Sequence, residues 1–193
     1  PSSRRITRAI AYYMWQETSY AEATGIIVMF EGKLRCCEAL KVRAIDVIFS
    51  GGHVRQTTIR LGKSKNGREA CCVLEPGSLG ERMLRVLVRC SRDRNTPLFK
   101  FQNYVRGYKY LLKFRREYNL AIEVTPHSFR AGGATDDKLA GKSLSDIQYA
   151  GRWESVSTCR GYIDVVFAIL PETIAEESKI AEFEDSDFLS AAA

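Results

Sequence analysis

The sequence predicts an α+β fold, mostly helical with a small three-stranded antiparallel sheet. Three observations carry that expectation. Apolar residues recur at helical spacing near both ends of the chain, beginning with Ile6, Ile10 and Met14. Between Val47 and Leu74 the pattern changes to short runs rich in β-branched residues, punctuated by Ser50-Gly51-Gly52 and Asn66-Gly67, which is hairpin chemistry. Finally, 193 residues with 45% hydrophobic and 27% charged side chains suffice for one domain with a real core, and exclude a collagen-like, mucin-like or disordered chain.

Element by element, Ser2 and Ser3 can cap a first helix. The apolar run Ala21–Phe30 leads through Glu31-Gly32-Lys33 into a short helix, Leu34–Val42. Val47–Phe49 and Val54–Leu61 read as a hairpin, and a turn at Lys63–Gly67 returns the chain as a third strand, Glu69–Leu74. Pro76-Gly77-Ser78 ends the sheet ahead of a helix at Leu79–Cys90, and a long basic helix follows at Gln102–Tyr118. Three shorter helices are expected at Ser128–Leu139, Ser143–Tyr149 and Ser155–Val166. A tail helix, Glu172–Phe183, carries a thin stripe of Ile174, Ile180 and Phe183.

Composition narrows the function. The apolar stretches, Ile26–Phe30 among them, are far below the ~20 residues that span a bilayer, and no signal-peptide pattern opens the chain, so an intracellular protein without a membrane partner is expected. The chain starts at Pro1 and ends in Ala191-Ala192-Ala193, as an excised fragment would. Four of six cysteines sit in adjacent pairs, Cys36-Cys37 and Cys71-Cys72, and the only histidines are His53 and His127. Reduced core thiols, with no structural metal and no cofactor, fit that pattern. The charge is uneven: residues 171–193 hold seven acids against Lys179, net −6, leaving +12 on residues 1–170. A body that basic suits a polyanion such as DNA. The division expected is a body, 1–170, and an acidic arm, 171–193, which docks on a neighbouring protomer, folds back on its own domain, or stays solvated.

The informative strings are Thr125-Pro126-His127-Ser128-Phe129-Arg130, Gly151-Arg152-Trp153 and Arg160-Gly161-Tyr162-Ile163. His127 and Arg130 are three positions apart, Arg130 and Trp153 twenty-three, and Trp153 and Tyr162 nine. Upstream, Gly32-Lys33-Leu34-Arg35-Cys36-Cys37-Glu38 is followed by Asp46, and Lys63-Ser64-Lys65-Asn66-Gly67 lies between. Together these resemble the catalytic domain of the tyrosine recombinase/integrase family, in its phage-integrase-like and Cre- or Xer-like members. The resemblance rests on four motifs in the same order and covers nearly the whole chain; any one alone would be weak. After Arg130 the chain departs from the family, with Ala131-Gly132-Gly133-Ala134 in place of the common His-Thr continuation.

The resemblance implies a set of roles. Tyr162 is the nucleophile, forming a covalent 3′-phosphotyrosyl bond, and Arg35 and Arg130 meet the charge of the scissile phosphate. His127 is a proton carrier at the phosphate or the tyrosine hydroxyl, Trp153 walls the site, and Glu38 orients Arg35. A hairpin lysine protonates the leaving oxygen: Lys65, before Asn66-Gly67, is favoured, with Lys63 as the alternative. Tyr149 is a rival hydroxyl, set aside by the nine-residue step. The resemblance further implies double-stranded DNA as partner, a tetramer on DNA in the full-length enzyme, metal-independent strand transfer in a mobile-element setting, and a separate N-terminal core-binding domain not visible here. A type IB topoisomerase-like enzyme and a domesticated DNA-binding protein remain as alternatives.

Overall fold

The computed structural model describes residues 2–17, 20–63, 69–99 and 104–189. In chain order the elements are α1 (Arg4–Glu17), α2 (Tyr20–Glu31), the one-turn α3 (Cys36–Ala39), a 3₁₀ turn (Ala44–Asp46), β1 (Val47–Ile48), β2 (Thr57–Lys63), β3 (Glu69–Leu74), α4 (Leu79–Cys90), α5 (Tyr104–Glu117), α6 (Pro126–Leu139), α7 (Leu144–Gly151), α8 (Val156–Ala168), α9 (Leu170–Glu177) and α10 (Asp185–Leu189). The expected class, helical with a three-stranded antiparallel sheet, is the one observed.

Helix α2 is the axis. Every residue from Ala21 to Phe30 is buried, and a helix apolar on all sides has to be covered on all sides. Helices α1, α4 and α6 supply the cover. Ser3 starts α1 by accepting the Ile6 N–H at 3.2 Å. At the other end of α2, the Glu31 carboxylate accepts the Gly80 N–H at 3.0 Å, at the start of α4. Burial pushes the Glu31 carboxyl above the ordinary carboxylate range despite that bond.

The strands pair antiparallel in the order β1-β2-β3, with Ile59 between Val47 and Cys72. Alternation turns Ile59, Cys72 and Leu74 inward. The first hairpin is shorter than the sequence suggests. The Ser50 N–H donates to the Thr57 hydroxyl at 2.9 Å and the Ser50 carbonyl accepts from Arg85 at 3.2 Å, so side chains satisfy groups that a longer ladder would use. The expected turn at Asn66-Gly67 lies outside the described residues. The helix expected over Leu34–Val42 contracts to α3, because Val42 turns away to accept the Leu98 N–H at 2.8 Å.

Helix α6 approaches other backbone at two glycines, the residues before α1 at Gly132 and the end of α2 at Gly133. A β-carbon on Gly132 would stand 1.8 Å from the Ser2 carbonyl oxygen, and one on Gly133 would stand 1.9 Å from that of Phe30. The glycines at 132 and 133 thus permit backbone-to-backbone approach. A second, smaller core lies between α6, α7 and α8, built from Ala134, Ile147, Trp153, Cys159 and Ile163, with Tyr162 packed against it.

The acidic C-terminal segment lies on the basic face of α1 in the same chain. It forms two helices, α9 and α10, rather than one over Glu172–Phe183. Between them, the Ile180 and Phe183 carbonyls accept from Arg5 at 2.7 Å and Arg8 at 2.9 Å. Asp185 bridges Arg8 at 2.5 Å and Arg82 at 3.1 Å. Ile180 and Phe188 enter the main core, and Phe183 stacks on Tyr12 with ring centroids 4.4 Å apart. Ile174 is exposed, so the apolar stripe read from the sequence divides.

The close approach at Gly133 gives a paired prediction. Gly133→Ala should destabilise the fold by about 2 kcal/mol or more, lowering Tm by roughly 4–8 °C, since the Phe30 backbone has to retreat. Gly161→Ala, with nothing within 4 Å of the new methyl, should be neutral or mildly stabilising. Thermal melts of both variants check this.

Candidate active site

The turn between α2 and α3 is the foundation of the site. Gly32 has no room for a side chain, because a β-carbon would fall 2.3 Å from the Cys72 sulfur. Lys33 follows in the left-handed region at φ +52°. Its buried ammonium meets Asp137 at 2.5 Å and donates to the Glu31 carbonyl at 2.9 Å. The Lys33 carbonyl then receives two guanidiniums: Nη1 of Arg130 and, at 3.0 Å, Nη2 of Arg152.

Arg35 opens α3, and Glu38 sits one turn on. One Glu38 oxygen accepts Arg35 Nη1 at 2.8 Å; the other accepts the Arg35 N–H at 2.8 Å and Arg152 Nη2 at 2.9 Å. Burial opposes the charge on Glu38, but Arg152, followed by the Arg35 N–H and guanidinium, outweighs it and holds the carboxyl below its usual range. Arg35 is 46% exposed and faces solvent beside this buried anchor.

Helix α6 carries His127 and Arg130 one turn apart, on one face. Pro126 in the first turn and the Thr125–Ser128 capping box fix where the helix begins, and so fix that face. Arg130 is 1% exposed. Besides the Lys33 carbonyl it reaches the Gly151 carbonyl at 2.5 Å, and its guanidinium lies 4.3 Å over the Trp153 ring. Burial, then the charges of Arg35 and Arg152, lower its pKa to about 10, which leaves it protonated at neutral pH.

Trp153 seats against Gly151, where a β-carbon would fall 1.6 Å from the ring. Tyr162, on α8, places its ring 5.8 Å from Trp153 and 5.2 Å from His127. The exposed His127 imidazole titrates below its ordinary value, through partial burial first and then repulsion from Arg130 and Arg35.

Arg35, Glu38, His127, Arg130, Trp153 and Tyr162 therefore come together from four separate stretches of chain. Tyr149 stands apart, 86% exposed on α7. Lys63 is exposed at the end of β2, opposite Glu69, and Lys65 lies outside the described residues. Among the described residues no three His, Cys, Asp or Glu side chains form a metal-binding group, and no helix is long and apolar enough to cross a membrane. Sequence reasoning missed Arg152 and Lys33. The available signal was a basic residue directly after a glycine at each turn, in Gly32-Lys33 and Gly151-Arg152.

No family model matches the sequence, and no curated protein matches it either. Solved structures do resemble the fold. XerH site-specific recombinase in its pre-cleavage complex with a difH substrate matches with a TM-score of 0.65 at 18% identity, over 90% of this chain and 52% of that one. XerA recombinase matches at 0.62 and 17% identity, over 91% and 65%. The Tn1549 transposon integrase bound to transposon right-end DNA matches at 0.61 and 14% identity, over 90% and 66%. The fold is the catalytic-domain fold of the tyrosine recombinases. The chain spans about half the length of XerH and about two-thirds of the other two.

The electrostatics make a prediction. In a proton NMR titration, the His127 ring should titrate below the ordinary histidine value, and Arg35→Gln should raise its midpoint by removing one neighbouring cation. An unmoved midpoint would show that Arg35 does not act on the imidazole.

Proposed function

We propose that this chain is the catalytic part of a site-specific DNA recombinase or integrase that cuts and rejoins DNA through a covalent bond to Tyr162. One observation carries the reading: two arginines, a histidine, a tryptophan and a tyrosine distant in sequence converge around one spot.

Those residue types suit a reaction on a phosphodiester. The Tyr162 hydroxyl attacks phosphorus, forming a phosphotyrosyl bond as the bond to the 5′ oxygen breaks. The products are a 3′-phosphate joined to Tyr162 and a free 5′-hydroxyl. His127, held neutral by its surroundings, takes the tyrosine proton. The hairpin lysine, Lys65 or its alternative Lys63, gives a proton to the departing 5′ oxygen. Arg35 and Arg130 meet the charge that gathers on the non-bridging oxygens. Trp153 lies against the Arg130 guanidinium and limits where it can move. Attack by a 5′-hydroxyl from another strand reverses the step and rejoins DNA without outside energy. Assembly as a tetramer on two duplexes belongs to the same proposal, and so does the use of a mobile element's ends, which the likeness to the Tn1549 transposon integrase supports.

The test is covalent capture on end-labelled duplexes nicked beside a randomised sequence, so that no target has to be known. Wild-type protein should leave a protein–DNA band on a denaturing gel, and the band should survive EDTA because arginines supply the positive charge. Tyr162→Phe should abolish the band while retaining DNA binding, and Tyr149→Phe should keep it. Arg130→Lys should slow capture by about 10²–10³-fold, since an ammonium cannot make the forked contact. Capture with plasmid relaxation but no exchange between two duplexes would instead indicate a topoisomerase.

A further inference from the structure

We infer that Arg152 is a positioning residue of this site, aligning Arg35 and Arg130 through the two acceptors it shares with them, Glu38 and the Lys33 carbonyl. The inference rests on the reading of the site as one that cuts DNA.

The backbone is the first observation. Arg152 caps α7 at φ 59° and ψ 39°, a left-handed conformation where glycine is the default residue. The preceding Gly151 cannot take over this role for the side chain, since Trp153 occupies the space beside it. An arginine therefore stands in a conformation unfavourable to any side chain, and the strain calls for a reason in what the side chain does.

The contacts supply that reason. The side chain is 14% exposed and crosses from the end of α7 to the α2–α3 turn. Nη1 donates to Gly32 O at 3.3 Å and to Ala150 O at 2.9 Å, while Nη2 donates to Lys33 O at 3.0 Å and to Glu38 at 2.9 Å. Nε is buried with no hydrogen-bond partner, a second cost of holding the group in this place. Lys33 O also receives Arg130, and Glu38 also receives Arg35. One guanidinium is thus linked at one remove to each of the two arginines assigned to the phosphate. Charge adds to geometry: Arg152 helps keep Glu38 ionised, and so fit to hold Arg35.

A residue needed only to end α7 would be served better by glycine, and this makes Arg152→Gly the informative variant. It relieves the left-handed strain, so the fold should persist, yet it removes the guanidinium. On a duplex selected by the wild-type protein, single-turnover cleavage should fall roughly 100-fold, the scale of a small misplacement of reacting groups, while DNA affinity stays within about twofold. Arg152→Lys, which keeps the charge without the fork, should fall between. Added guanidinium at sub-denaturing concentration should restore part of the rate to Arg152→Gly and none to Tyr162→Phe. Without DNA, the side-chain N–H signals of Arg35 and Arg130 in ¹⁵N-resolved NMR should shift or broaden in Arg152→Gly. Wild-type-like cleavage in that variant, or a loss that tracks unfolding and resists rescue, would overturn the inference. If wild-type protein captures no duplex, the cutting reading fails instead, and unchanged Arg35 and Arg130 signals would then overturn the positioning role on their own.

Discussion

Two guanidiniums converge on one peptide oxygen, that of Lys33, and the rest of the site is arranged around this meeting. A buried arginine is costly unless most of its donors are satisfied, and the usual partner is a carboxylate. Here backbone carbonyls do much of that work. They satisfy N–H groups without bringing in a negative charge that would repel a phosphate. The Lys33 oxygen is available because its residue is left-handed, and the Lys33 ammonium, tied to Asp137 and the Glu31 carbonyl, holds it so. Gly32 lets the turn lie against Cys72.

The consequence is a concentration of like charge. Arg35, Arg130 and Arg152 lie close enough to act on one another's surroundings, with Glu38 as the shared carboxylate between Arg35 and Arg152. Such a cluster works against the stability of the empty protein and in favour of an anion. Trp153 contributes a polarizable face under Arg130 without adding charge, and it belongs equally to the small core of α6, α7 and α8. Site and packing are therefore the same atoms, and a change to that core reaches the tyrosine directly.

Much of this was legible in the sequence, for definable reasons. The long helices carried caps and apolar periodicity, so α4 appeared over the expected residues. His127 and Arg130 read as partners because three positions on a helix is one face. What escaped depended on distant contacts. A basic residue after a glycine marks a turn at Gly151-Arg152, but which of the two is left-handed, and that the Arg152 side chain reaches the α2–α3 turn, are set by distant contacts. In the break between α9 and α10 the backbone carbonyls go to Arg5 and Arg8, partners that local periodicity cannot see. The first hairpin shrank for a similar reason, through Thr57 and Arg85.

The seating of the acidic segment on α1 also bears on how the molecule is made. Arg5 and the Ile180 carbonyl are 175 positions apart, as are Arg8 and that of Phe183. Contacts of such sequence separation close late and slow the search for the native state. On the ribosome, Tyr12 and the basic face of α1 emerge well ahead of their covering residues, more than 160 positions later in the described chain. The apolar surface of Tyr12 left open during that interval is closed only when Phe183 and Phe188 arrive.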